Sequence, residues 1–363
     1  MFPDNAELRQ LAALIGAQPP TDFAIERPDI QQLDYHGITM LVEDSDALSP
    51  SLRKQLALRR ALMVAGEALK AHALKQLAHG FHEAGLKPLL IKGTALAYSH
   101  YAQPWQRPRT DTDMLIERSE LERYASVFDA LGYDKLFAIE GRMVSYQSTY
   151  SKTLSANSAL NIDLHWRISN RQILSNTLLY ADMVERSQHL SQIEMSTVDD
   201  VDALLIACQH RLGHHQREER LAWLYDIYLI ASGLDESQWQ ALCKRAITHQ
   251  LAALTLDGLK KIESLFDFSL PQTVHSELAM QSEEPSQIFL QREMPEWRIA
   301  VYELRAISGI NNKVRWIIEN VLPNSAYVKQ QMNQESFLLA HGMRISRGVK
   351  RLFTRQASTT RDQ

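Results

Sequence analysis

Between Ser49 and Ala84 the apolar side chains Leu52, Leu56, Leu58, Leu62, Ala65, Leu69, Leu74 and Leu77 recur mostly at three- and four-residue intervals, the repeat that lines one face of a helix. Gly85 follows, at the position where helices commonly end on a glycine. The pattern then changes. "KPLLIKG" is a short unbroken apolar run, which predicts a buried strand leading into a helix that starts at Gly93-Thr94-Ala95. "DTDMLIE" predicts a second strand, and Ser119 with Glu122 spells a capping box for a helix reaching Leu131. "YDKLFAI", "RMVSYQSTYSK" and "ALNIDLHWRI" predict further strands, the last two with clear alternation.

Elsewhere the signal is helical. A short pattern of Leu8, Leu11, Leu14 and Ile15 precedes the Pro-rich linker "QPPTDFAIERPDI". After about residue 197, "TVDDVDALLIACQHRLGHH", "ERLAWLYDIYLIASG" and "ESQWQALCKRAITHQLAALTLDGLKKIESLF" carry helical periodicity with acidic starts. Residues 268–290 predict a polar loop region, and the end is helical again. The patterns divide the chain into an N-terminal helical and linker segment (1–50), an α/β core (51–196), a helical domain (197–290) and C-terminal helices with a basic tail (291–363).

Composition adds limits. With 363 residues, 45% apolar and 23% charged, the chain can bury a sizeable core. A net charge of −4 argues against a globally basic nucleic-acid binder and leaves a local basic patch open. Cys208 and Cys243 form neither a metal spacing nor a disulfide framework. "MFPDNAELRQ" has no basic and apolar leader pattern, and no run approaches the length of a membrane span, so a cytoplasmic protein is expected.

The candidate chemistry begins at "RPRTDTDMLIE". In a strand, Asp111 and Asp113 point the same way, and like charges held together need a cation between them. Two other pairs, Asp44/Asp46 and Asp200/Asp202, sit at helix starts, where carboxylates favour the positive helix end. Asp111 and Asp113 instead precede an apolar strand, so a solvated strand end and a site both fit. Three features favour a site. "LLIKGT" runs a strand into a glycine and a helix start, offering backbone N–H groups to a phosphate. Asp163 lies on an apolar strand between Ile162 and Leu164, where an acid is costly without a partner. Arg107 is a positive fork suited to phosphate oxygens.

Together, "KGTALAYSHY", "RPRTDTDMLI", "LGY", "NIDLHWRI" and "LAWLYDI" resemble the bacterial, largely uncharacterised nucleotidyltransferase family of the DNA polymerase β-like superfamily, over about residues 86–265. Gly93-Thr94 replaces the superfamily's usual Gly-Ser or Gly-Gly, and the gap from Gly93 to Asp111 is longer than in its compact members. The resemblance implies an α+β fold: a mixed sheet flanked by helices, with N-terminal helices and an all-helical C-terminal half. It implies NMP transfer from an NTP to an acceptor hydroxyl, the acceptor being a small molecule, protein or RNA end. The implied cofactor is two Mg²⁺ ions about 3.5–4 Å apart, or Mn²⁺. Asp111, Asp113 and Asp163 are the implied metal ligands and catalytic carboxylates, with Asp163 on the acceptor side. Gly93 and Thr94 would cradle phosphates by backbone N–H and hydroxyl. Lys92 and Arg107 are further phosphate candidates, Lys92 being equally able to face solvent, and His165 would position Asp163 or touch substrate. The alternative is a non-catalytic nucleotide- or partner-binding protein with the same fold.

Two other patterns compete. His210 and His214 share a helix face at zinc-peptidase spacing beside His215, but Arg211 stands where that motif needs a glutamate. A polar helix end capped by basic residues and packed against the α/β core is the plainer expectation, with a contact of His210 with Asp226 as a further option. Residues 341–363 hold six Lys/Arg against one acidic residue, with Ile345, Val349, Leu352 and Phe353 in a stripe. That pattern suits weak contact with an anionic membrane surface or RNA, or packing on the helical half.

Overall fold

A computed structural model describes residues 5–16, 29–43, 48–136, 143–215, 218–281, 283–291 and 294–321. Helices α1 (Asn5–Ala13) and α2 (Ile30–His36) precede α3 (Pro50–Glu83), a helix of 34 residues. Ser49 starts α3 by accepting the Leu52 N–H, with Pro50 at its first position, and Gly85 ends it at φ +65°. The core follows as β1 (Leu89–Ile91), α4 (Lys92–Ser99), β2 (Thr112–Leu115), α5 (Leu121–Ala130), β3 (Asp134–Lys135), β4 (Gln147–Ser155), β5 (Ser158–His165), α6 (Tyr180–Val184), β6 (Gln188–Leu190) and β7 (Met195–Thr197). The rest is helical: α7 (Asp200–Gly213), α8 (Leu221–Gly233), α9 (Glu236–Thr248), α10 (Ala252–Glu263), α11 (Gln272–Ala279), α12 (Glu296–Ala306) and α13 (Ile310–Val321). No helix among the described residues is long and apolar enough to cross a membrane.

The strands form one mixed sheet in the order β3-β4-β5-β2-β1-β7-β6, with β2 parallel to β5 and antiparallel to β1. This is the α+β architecture that the sequence pattern and the resemblance imply. Alternation along the central strands divides the interior between two faces. Leu90, Met114, Ile116, Ile162 and Leu164 pack with Leu74, Leu77 and Phe81 of α3 and Tyr124 and Phe128 of α5. Leu89, Ile91 and Leu115 face the other way, into a cluster that includes Leu204, Leu224, Ile227 and Leu254 of the helical half. Asp113 and Asp163 belong by the same alternation to that second face.

Several elements differ from expectation. α5 starts at Leu121 after a 3-10 turn at Arg118–Glu120, and Ser119 makes no capping box, because the turn takes its place. Residues 268–290 are not merely a polar loop: α11 and a 3-10 turn bury Val274, Leu278, Ile288 and Phe289 beneath their polar faces. The short strands β6 and β7 had no length of pattern to announce them. The Asp44/Asp46 pair and the basic stretch 341–363 lie outside the described residues.

A buried ion pair joins the sheet to the helical half. Arg107 Nε donates to Asp226 Oδ1 and Oδ2 at 2.9 and 3.1 Å, and its Nη2 donates to Oδ2 at 2.8 Å. The Tyr101 hydroxyl adds a bond to Oδ1 at 2.7 Å. Asp226 therefore answers Arg107, and not His210 as the helix pattern suggested. Removing one partner of a buried pair typically costs about 3–5 kcal/mol, because the other charge is left without compensation. Arg107→Ala should lower stability by about that much in urea denaturation, and the double change Arg107→Met with Asp226→Leu should recover most of it. Wild-type stability in Arg107→Ala would contradict this role.

Glu303 on α12 reports a second contact. One carboxylate oxygen accepts the Gln172 N–H, while the other is buried without a hydrogen-bond partner among the described residues. Burial pushes its pKa up from 4.5 to about 7, against the opposing charge of Arg171 and bonds from the Gln172 and Ile173 backbone. An acid raised on folding contributes stability that is full below its unfolded pKa and is lost as pH rises through its folded one. Stability should thus decline from about pH 4.5 to above 7 at this group. Glu303→Gln should gain on wild type over that interval in denaturation midpoints, and parallel curves would contradict the assignment.

Candidate active site

The parallel pairing of β2 with β5 sets Asp113 directly opposite Asp163, and the antiparallel pairing of β1 sets Ile91 opposite Asp113. Alternation turns His165 to the same side as Asp163. Asp113 is only 8% exposed. Its Oδ1 receives the Lys92 ammonium at 2.7 Å and lies 2.7 Å from His165 Nε2. Burial alone would raise the Asp113 pKa, but the Lys92 charge and the His165 contact outweigh it and hold the carboxyl far below its usual range. Lys92 reaches this position from a backbone with φ +56°, an uncommon conformation for a residue with a side chain.

Asp163 is held from the next strand. Thr149, its cross-strand partner on β4, donates its hydroxyl to Oδ1 at 2.6 Å, and Gln147 donates to Oδ2 at 3.3 Å. Asp111 sits just before β2, partly exposed. Burial and then the charges of Asp113 and Asp163 raise its pKa. The three carboxylates therefore share one field, which favours a proton or a cation among them.

Among the described residues, Asp113, Asp163 and His165 form the one cluster of potential metal ligands with donor atoms within 4.8 Å of one another. Two carboxylates and an imidazole, with a third carboxylate alongside, fit a hard divalent cation such as Mg²⁺ or Mn²⁺. At Asp111 burial and the repulsion of Asp113 and Asp163 outweigh Lys92 and His165, which favours added positive charge there.

Two sequence candidates take other roles. The Thr94 hydroxyl is fully buried, 3.0 Å from the Thr112 hydroxyl and 3.3 Å from the Asp111 carbonyl oxygen, and it accepts Arg109 Nε at 3.0 Å. It ties α4 to the start of β2 and is not turned to a phosphate. Arg107 is likewise committed, through Asp226 and the Pro108 carbonyl. Gly93 differs: a Cβ there would meet nothing nearer than Arg109 Cβ at 3.7 Å, so packing does not demand a glycine.

Residues that sequence reasoning passed over complete the surroundings. Arg109, two places before Asp111, donates to Glu67 of α3 at 2.5 Å, and Glu67 also accepts the Tyr98 hydroxyl. Gln147 and Thr149 were signalled only as the polar positions of an alternating strand. The end of α7 packs against α4 on the same side: burial first, and then the Lys92 charge, depress the protonation of His210 and His214, and burial, with Arg220 and Lys92 against Glu218, that of His215. The zinc-peptidase spacing gathers no metal site, since the imidazoles are stacked, with His210 and His214 ring centres 5.2 Å apart.

No curated protein matches the chain. A family model described as an uncharacterised nucleotidyltransferase matches residues 30–267, which spans α2 through α10 and includes every residue of the carboxylate site. The chain belongs to this uncharacterised nucleotidyltransferase family.

Proposed function

We propose that the protein transfers a nucleoside monophosphate from an NTP to an acceptor hydroxyl. The observation that carries this reading is the side-by-side placement of Asp113 and Asp163 on adjacent parallel strands, with Asp111 in the same field. In the reaction the acceptor oxygen attacks the α-phosphorus. The bond from that phosphorus to the oxygen bridging the β-phosphate breaks, and the electron pair leaves with pyrophosphate. The acceptor proton passes to a carboxylate, for which Asp163 is the candidate. Such transfer asks the protein mainly to position groups and offset phosphate charge. Divalent ions held by Asp111, Asp113 and Asp163 would supply that offset and lower the pKa of the attacking hydroxyl.

The chain's own groups divide the remaining work. The first turn of α4, Lys92-Gly93-Thr94, has no side chain of its N-cap residue bonded to its N–H groups, which leaves them to a phosphate beside the Arg107 guanidinium that borders Gly93. Lys92 neutralises Asp113 before substrate arrives and is within the site to meet a phosphate afterwards. His165 orients Asp113, and Thr149 and Gln147 orient Asp163. Arg107 acts at one remove, by fixing the segment that ends in Asp111 against α8.

A second reading is a nucleotide-binding module without catalysis. It has one observation in its favour: the Lys92 ammonium already balances Asp113, so the pair can persist without added cations. Four labelled NTPs with Mg²⁺, using cell extract as acceptor, distinguish the two. Asp113→Asn and Asp163→Asn should each reduce label transfer by more than the roughly 10–100-fold loss typical of groups one step removed from a metal. Both should keep a cooperative thermal transition. Transfer at the wild-type rate in both variants would end the catalytic assignment, and nucleotide binding without any transfer in wild type would favour the module.

A further inference from the structure

The end of α7 presents an aromatic wall that the reaction as described does not use. The His215 ring stacks on Trp223 of α8 at 4.2 Å and 28°, and His210 meets His215 edge-on at 4.9 Å. His210 stacks in turn on His214 at 5.2 Å and 24°. Arg220 lies over the Trp223 ring at 5.4 Å.

This wall is firmly mounted. A side chain at Gly213 would come within 2.6 Å of Leu174, so the turn before His214 packs tightly against the core. Arg171 Nε donates to the Gly213 carbonyl at 3.2 Å. Arg211, on the turn between the histidines, is fully buried and paired with Glu219 and Asp257.

The wall also faces the site. Asp113 and Asp163 lie on the sheet face that the helical half covers, and α7 packs against α4, the helix that begins at Lys92. His214 is solvent-exposed by surface. Burial first, and then the Lys92 charge, bring its pKa down to about 3. Burial also lowers His210 and His215, so all three imidazoles are shifted toward the neutral form.

Neutral stacked rings have little to offer a phosphate, which calls for cations or a row of N–H groups. They suit a planar heterocycle, which gains from stacking and from a ring nitrogen that donates or accepts. Given the transfer reaction above, we propose that the His210–His214–His215–Trp223 wall is the subsite for the base of the NTP, with the exposed His214 ring as its stacking face. The phosphates then reach back to Gly93 and the carboxylates. Base–aromatic stacking is worth roughly 1–3 kcal/mol, or about 5- to 150-fold in affinity.

Calorimetry on the full chain with Mg²⁺ tests this, comparing the four NTPs with inorganic tripolyphosphate, which has no base. Wild type should bind at least one NTP more tightly than tripolyphosphate. His214→Ala should weaken that NTP by about 5- to 150-fold and leave tripolyphosphate unchanged, while His214→Phe keeps most of the affinity. Equal loss for both ligands, or no loss for the NTP, overturns the subsite. So does a His214→Ala change seen only in the KM for the acceptor, which would give the wall to the acceptor. Transfer of label from an NTP, together with equal affinity for NTP and tripolyphosphate in calorimetry, removes the subsite and leaves the reaction standing. A chain that binds neither ligand removes both.

Discussion

The register of β2 against β5 is the constraint on which the rest depends. It sets the Asp113 and Asp163 carboxylates on neighbouring strands, on one face of a sheet whose adjacent positions include the fully buried Met114, Ile162 and Leu164. Like charges so placed repel, and burial strengthens the repulsion. Every polar group drawn to this point answers that cost. Lys92 and His165 converge on one oxygen of Asp113, and Thr149 and Gln147 divide the two oxygens of Asp163. Asp111 remains under-compensated, which is what leaves the site receptive to further positive charge. A slip of one residue in either strand would turn one of the two carboxylates into the apolar layer beneath α3 and α5.

Around that register the molecule uses buried ion pairs to fix segments that apolar packing alone would leave free to slide. Arg107 clamps the approach to β2 onto Asp226 of α8, and Arg109 clamps it onto Glu67 of α3. Asp202, fully buried in α7, takes Arg186 from before β6 and Arg245 from α9. Such pairs contribute little net stability when compared with well-packed apolar groups, and their directional bonds suit them to holding one arrangement. Their placement shortly before Asp111, and on the helix that ends in the histidine wall, puts that directionality beside the carboxylates.

The sheet face that carries the carboxylates was readable from sequence, because Ile162, Leu164 and Met114 alternate with the acids beside them and burial demands a side for each. The long helix α3 was equally plain, with Ser49 and Gly85 marking its ends. Other features had no local signature. Thr94 looks the same in sequence whether its hydroxyl faces a phosphate or Thr112. Arg107 reads as a phosphate fork until Asp226, 119 residues later, is seen to occupy it. The histidines of α7 spell a metal spacing, and only the position of Trp223 shows them to be a stack. Long-range pairing decides each of these, and pairing at that distance leaves no periodicity in the chain.

The central claim is that Asp113 and Asp163 act together on a divalent cation. Electron spin resonance of Mn²⁺ titrated into the full-length protein examines it without any assumption about acceptor or base. The account predicts that wild type depletes the free Mn²⁺ signal, more so with an NTP present, and that replacing Asp163 by Asn abolishes most of that depletion. Identical depletion curves for wild type and the Asp163 variant would contradict it.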